Sequence, residues 1–284
     1  MRNKPTFTST RQIFTYLALI LVALFVLFPI WEMVYLAFDG GIYGTPTSFR
    51  LFPIRPTLDI FAEMWKQAGQ NITFIMALRN SMIVSLGAAL LSVVLGASMA
   101  YAFARFRFPG RKAGLFGILV GTLLPPVALM TPLFLMVRTL NIESTLLALT
   151  IVYTSFAMPF AVWNMRAAFQ SIAKELEEAA YLDGAGNLKT FWYVDLPLAL
   201  PAIGIAAIFA FLIGYSEFAM GWMFVTRSSE VTLAMTISGI LIQGSQQWSM
   251  MAALSVLMSI PVVVVFIVLQ RAFLERMLLG NIKT

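Results

Sequence analysis

The chain contains no cysteine and no histidine in its 284 residues. Disulfides, thiolate nucleophiles, imidazole proton shuttles and the common zinc ligand sets are therefore excluded. Charge is scarce as well, at 11% of residues against roughly 25% in soluble domains. The sequence holds no HExxH, no GxSxG, no pair of intramembrane aspartates and no G-x-x-x-x-G-K-[ST] phosphate loop. It encodes neither a hydrolytic constellation nor a nucleotide site, and no metal or cofactor is expected on it. Internal repeats and a coupling-ion site are missing, which argues against a secondary transporter or channel. A lipid-modifying membrane enzyme would need an interfacial acid–base pair, for which Glu32 with Arg79 is the nearest and a poor candidate.

What is present is hydrocarbon. Sixty per cent of residues are hydrophobic and the mean hydropathy is +0.86, values of an integral membrane protein. A net charge of +6 would suit nucleic acid, but the basic residues sit in short clusters flanking apolar segments, a topology signal; no nucleic-acid partner is expected. Six segments, at about 13–38, 79–103, 114–137, 144–167, 194–218 and 247–270, each approach the roughly 20 residues that a spanning helix needs. The fold class read from this is all-α, a polytopic membrane protein with six transmembrane helices: a tail over 1–12, then a transmembrane domain over 13–284. Arg2, Lys4 and Arg11 precede the first segment, but its apolar core is long and no small-x-small site follows, so an uncleaved first span is expected. With both termini cytoplasmic, 13 of the 19 basic residues face inward, leaving Arg50, Arg55, Lys66, Arg79, Arg138 and Arg227 outside.

On the cytoplasmic side of that arrangement lies E-E-A-A-Y-L-D-G-A-G, Glu177 to Gly186, with Phe191, L-P at Leu196 and Pro197, and Pro201 beyond it. Leu176, Ala179 and Ala180 fall on one helical face whose small residues allow close approach, and Gly184 and Gly186 stop the helix. The segment, within a loop of about 170–192, reads as a compact helix outside the bilayer whose task is docking.

These residues resemble the E-A-A loop of the membrane subunits of ABC importers. Glu178, Ala179, Ala180 and Gly184 match its pattern directly, and the D-G-A extension at Asp183 to Ala185 is similar to the carbohydrate-uptake, maltose-type inner-membrane branch. Asn80 and Ser81 opening a membrane helix, A-Y-A-F-A-R at Ala100 to Arg105, and Y-S-E-F at Tyr215 to Phe218, usually W-N-E-F, extend the likeness over most of the chain. Ile172 and Ala173 depart from the isoleucine-proline pair that commonly precedes the loop. The resemblance implies that Glu177, Glu178, Ala179, Ala180, Asp183, Gly184 and Ala185 form a coupling helix seated on a cytoplasmic ATPase. It further implies two ATPase copies that bind ATP and magnesium, a homologous second permease subunit, an extracytoplasmic substrate-binding protein, and residence in a bacterial or archaeal cytoplasmic membrane. Sugar or oligosaccharide is the implied cargo, and the permease itself is then no enzyme.

Two long outer connections remain, about 39–78 and 219–246. The first is rich in turn formers, Gly40, Gly41, Gly44, Pro46, Pro53 and Pro56, before a short helix at Leu58 to Ala68. By resemblance the second dips into the binding protein; the other reading is a packed re-entrant hairpin. Beside it, Tyr215, Ser216, Glu217 and Trp222 combine a carboxylate, hydroxyls and aromatic faces suited to sugar, or else Glu217 pairs with a neighbouring helix and fixes a gate, the reading preferred here. Asn80 and Tyr153 are candidate path residues that equally serve interhelical hydrogen bonds. Pro125 and Pro126 should kink the third span.

Overall fold

Long runs of Leu, Ile, Val, Ala and Phe without charge fold as helices, since only a helix satisfies its own backbone groups in hydrocarbon. The computed structural model describes residues 9–41, 50–69, 71–242 and 248–280. Met1 to Thr8 of the expected tail, Gly44 and Pro46 of the first outer connection, and Gly244 to Gln247 of the second lie outside these residues. Extended pairing among the described residues is confined to two isolated bridges, Asp39 with Pro56 and Gly69 with Ile72.

The elements run α1 (Ser9–Ala37), α2 (Asp59–Lys66), α3 (Phe74–Arg105), α4 (Arg111–Leu123), α5 (Pro126–Thr139), α6 (Leu146–Ser171), α7 (Lys174–Leu182) and α8 (Asn187–Thr190). A π-helical turn at Phe191–Asp195 leads into α9 (Leu196–Leu198), α10 (Leu200–Ser216), α11 (Gly221–Phe224), a 3-10 turn at Ser228–Glu230, α12 (Leu233–Ile242) and α13 (Trp248–Gly280). Among the described residues four helices are long and apolar enough to cross a membrane, and up to six spans result if each of two bent pairs counts as one.

Those bent pairs modify the expected spans. The third is broken, not merely kinked: α4 and α5 meet at 107°. Pro126 supplies no N–H and holds Pro125 in the extended region that a residue before proline prefers, so the helix must restart. The fifth bends by 76° between Asn187–Leu198 and α10. There the Leu196 N–H reaches back five residues to the Phe191 carbonyl, widening the helix just before Pro197 and placing Asp195 at its end.

Two compact units are present. The larger, Gln67–Gly239 with Met258–Thr284, is built on α3, α6 and α10. Small residues line their contacts, including Ala88, Ala97, Ala100, Ala157, Ala161, Ala206 and Ala210, all buried. In a membrane, where lipid removes the hydrophobic drive between helices, such residues let backbones touch. A Cβ built on Gly214 would stand 2.9 Å from the Ser85 Cα, so α3 and α10 meet backbone to backbone. At the end of this core Tyr101, Phe169 and Phe191 form an aromatic cluster, with centroids 4.7 Å apart for Tyr101–Phe191 and 5.5 Å for Tyr101–Phe169.

The smaller unit, Met1–Lys66 with Ile240–Leu257, is organised by Asp39. This fully buried carboxylate accepts N–H groups from Gly41, Ile54 and Arg55 at 2.8, 2.8 and 3.2 Å. Burial pushes its pKa up, but those three donors and the charge of Arg50 outweigh it and hold the carboxyl below its usual range. Ser249 donates to the Asp39 carbonyl. No residue in the most apolar window of α1 is buried, which leaves that stretch for lipid or protein.

Candidate functional site

The α7 segment is held at both ends by identifiable chemistry. Its start has the geometry that the missing proline would impose. Ala173 sits at φ −62°, ψ 130°, within proline's fixed φ, and Ile172 at φ −70°, ψ 128°, the extended region favoured before proline. Arg105 Nη2 donates to the Ile172 carbonyl at 3.2 Å, anchoring that approach to the end of α3. Glu175 and Glu177 occupy the first turn, where the helix dipole favours acids. At the other end Gly184 adopts φ +81°, and a paired turn closes: the Ala185 N–H reaches the Ala180 carbonyl and the Gly184 N–H that of Tyr181, at 2.9 and 3.0 Å. This is a glycine-terminated Schellman motif.

The face so presented is sharply divided. Glu178, Ala179, Asp183 and Gly184 are exposed, Ala180 and Ala185 half-buried. Leu182 is 90% exposed, with Leu188, Trp192 and Tyr193 uncovered nearby, an apolar tip outside any helix bundle. Glu177 differs from the other expected docking residues: it is only 7% exposed and turned inward. It forms an ion pair with Arg105, whose Nη2 also lies 3.7 Å from Oδ1 of the fully buried Asp195. Helical geometry explains the split, because successive residues point about 100° apart and only one of Glu177 and Glu178 can face out. Burial, then Asp195, hold the Glu177 carboxyl above its usual range against the pull of Arg105. The Tyr181 hydroxyl is raised too, by burial and then by Glu177. Arg105 entered the sequence reading only as the end of the A-Y-A-F-A-R block and Asp195 not at all. An arginine ending a 32-residue helix, long enough at roughly 48 Å to project from a hydrocarbon core of about 30 Å, was the available signal.

At the opposite end the expected path residues separate. Tyr215 is buried, stacks on Phe211 at 5.4 Å and donates to the Met258 carbonyl at 3.0 Å. Ser216 bonds back to the Leu212 carbonyl at 2.7 Å, satisfying itself. Glu217 accepts the Met220 N–H on both oxygens, at 3.0 and 3.2 Å, and so shapes the turn into α11. The carboxylate of Glu217 acts on the fully buried Tyr153 hydroxyl. Trp222 donates to Ser238 at 2.7 Å. Tyr215 is thus committed to the Met258 carbonyl, Ser216 bonds within its own helix and stays exposed, and Glu217 faces both the α11 turn and Tyr153.

Asn80 is an anchor. Its amide donates to the Ser229 and Val231 carbonyls at 2.7 and 2.9 Å, while the neighbouring Ser81 hydroxyl accepts the Leu233 N–H at 2.8 Å, capping α12 from another helix. Val231 to Thr236 and Ser238 are buried. Residues 231–238 are therefore packed, and Thr226 to Ser229 form an exposed tip beside them. Among the described residues no group of three acidic side chains is placed to hold a metal.

Comparison with known proteins agrees with this architecture. Residues 92–279 match the family described as the binding-protein-dependent transport system inner membrane component. The maltodextrin transport system permease protein of Bacillus subtilis (strain 168) is 26% identical over 283 residues, covering 99% of each chain. The trehalose transport system permease protein of Mycobacterium tuberculosis (strain CDC 1551 / Oshkosh) is 30% identical, covering 84% of this chain and 87% of its own. In structure, a chain of a bacterial ABC transporter involved in the import of the acidic polysaccharide alginate superposes with a TM-score of 0.73 at 22% identity, over 95% of this chain and all of that one. With two thirds of its length inside the family match and its membrane helices folded as in a solved importer, the chain belongs to the binding-protein-dependent transport system inner membrane components, the permeases of ABC importers.

Proposed function

We propose that this permease carries a sugar or oligosaccharide, that it pairs with a homologous second permease, and that α7 is the element through which two copies of a separate ATPase drive it. One observation carries the docking part: α7 is fixed at its start by Arg105, closed at its end by Gly184, and presents an uncovered Glu178, Ala179 and Leu182. A rigid element with an unsatisfied apolar tip transmits force well. The family's dependence on a binding protein and the relatives named for maltodextrin and trehalose support the cargo class. The uncovered apolar surfaces of α1 and α4 suit lipid and a partner permease.

In this reading both termini and α7 face the cytoplasm. Closure of the ATPase dimer pushes α7, the two permease halves rock, and a cavity opens alternately to either side. ATP and magnesium stay on the ATPase. The exposed tip Thr226 to Ser229, clamped by Asn80, meets the binding protein. Glu217 holds the α11 turn against Tyr153 as part of a gate.

The test of docking is co-purification. Glu178→Lys and Gly184→Trp should insert in the membrane yet lose the ATPase, and full assembly with normal transport in both would exclude the reading. Glu217→Gln should raise ATP hydrolysis in the absence of cargo and leave the ranking of a sugar panel unchanged. An altered ranking with unaltered basal hydrolysis would instead assign Glu217 to cargo.

A further inference from the structure

Arg105 meets two carboxylates, contributed by two different elements. Glu177 comes from α7 and Asp195 from the π turn that opens the broken fifth span. Glu177 is 7% exposed and Asp195 not at all. One guanidinium against two ionised carboxylates would leave a net negative charge out of water, and buried groups avoid that state by binding a proton.

The remaining geometry agrees. Both Asp195 oxygens are buried without a well-formed hydrogen bond among the described residues, with Arg105 Nη2 standing 3.7 Å from Oδ1. The side chains that act on Asp195 are the Tyr101 hydroxyl, from α3, and Glu177 itself. Tyr181, on α7 itself, is a further titratable group that acts on the cluster among the described residues. A carboxylic acid hydrogen bond from Glu177 would give one Asp195 oxygen a donor and leave a single negative charge for Arg105 to balance.

We propose that Glu177 carries a proton that it donates to Asp195 beside Arg105, forming a charge-balanced latch that fixes α7 to the ends of α3 and of the broken fifth span. The three residues are positioning residues: they touch no cargo and no nucleotide, and they set where α7 stands when it is pushed. The inference rests on the reading of α7 as the coupling element only for its mechanical consequence; the shared proton stands or falls by itself. Burial and Asp195 already raise the proton affinity of Glu177. For such a group the folded state holds its proton above the range in which the unfolded chain releases it, so the latch is complete at low pH and loosens as pH rises through the raised value.

Infrared difference spectroscopy of the purified permease in lipid reads the proton directly. The wild-type chain should show a protonated-carboxyl C=O band at neutral pH that shifts in D2O and fades on alkaline titration. Glu177→Gln and Asp195→Asn should each remove it. Absence of the band, or its survival in both variants, overturns the proposal, and the wild-type titration decides the matter even where a variant fails to insert. In the assembled transporter, ATP hydrolysis stimulated by the binding protein should lose its pH dependence in either single variant. The double variant Glu177→Gln/Asp195→Asn leaves Arg105 unpaired, and stimulated hydrolysis should fall about twofold to thirtyfold below either single variant, the range of coupling effects of packed networks. Should the band be present while no ATPase associates with the chain, the coupling reading fails and the shared proton remains. Should the ATPase associate and the band be missing, the latch alone is refuted.

Discussion

Gly184 offers the cleanest separation of conformation from contact. Its φ of +81° lies in the left-handed region, and a Cβ built there meets nothing within 4 Å. Substitution therefore costs strain and no clash. Strain for an L-residue is roughly 1–2 kcal/mol, offset by about 0.4–1 kcal/mol because alanine lowers the entropy of the opened chain. The net for Gly184→Ala is about 0.8 kcal/mol, or near fourfold in the opening equilibrium of the turn. Asparagine tolerates this region and should cost less, whereas valine, β-branched, should cost more. Gly186 is the control, equally open but extended at φ −89°. Hydrogen exchange over 179–186 in the isolated permease should accelerate in the order Asn, Ala, Val at position 184 and remain unchanged in Gly186→Ala. The Gly184 and Ala185 amides, which close the motif, report it directly. Exchange in Gly184→Val equal to wild type would refute the account of how α7 ends.

Ala173→Pro matches the backbone already present and should stabilise the start of α7 by about 0.4–1 kcal/mol, seen as slower exchange or proteolysis at 173–177. Gly214→Ala should destabilise the bundle, since overpacking of roughly 1–3 kcal/mol against the Ser85 backbone outweighs a helix-propensity gain of about 0.8–1 kcal/mol. Gly96→Ala meets only the mobile Met165 methyl at 2.8 Å and the Ala161 Cβ at 3.2 Å, so thermal unfolding in detergent should move little. Asn80→Ala leaves the Ser229 and Val231 carbonyls without their donor and should cost about 1–3 kcal/mol, read as protease sensitivity of 226–236. Because the Glu177 pKa is raised in the folded chain, its contribution to stability is full below the ordinary carboxylate range and is lost as pH climbs through the raised value. The thermal midpoint should fall over that window in wild type and flatten in Glu177→Gln.

Much of this fold was readable because hydrophobic length is a coarse, additive signal. α3 and α6 fall close to the expected apolar segments, α13 continues ten residues past the expected 270, and the end of α7 follows from Gly184. What escaped depends on direction. Sequence spacing put Tyr215, Ser216 and Glu217 together, but the first two end α10 and Glu217 follows in extended backbone, so the three point different ways and each found a separate partner. Pro125 and Pro126 announced a disturbance without its size. Glu177 was grouped with Glu178 because both are acidic and adjacent. Which of them faces inward is decided by Arg105 and Asp195, respectively 72 and 18 residues away by the numbering, and such pairings have no local pattern to reveal them.

The central claim is that α7 seats on a separate ATPase, and the absence of native cysteine allows a direct test. Leu182→Cys places one thiol at the most exposed point of α7. Short bifunctional cross-linking in membranes containing the transporter, followed by peptide mapping, should join position 182 to the ATPase subunit. Cross-links confined to another permease segment or to the extracytoplasmic binding protein, with the ATPase present and unlinked, would contradict the account.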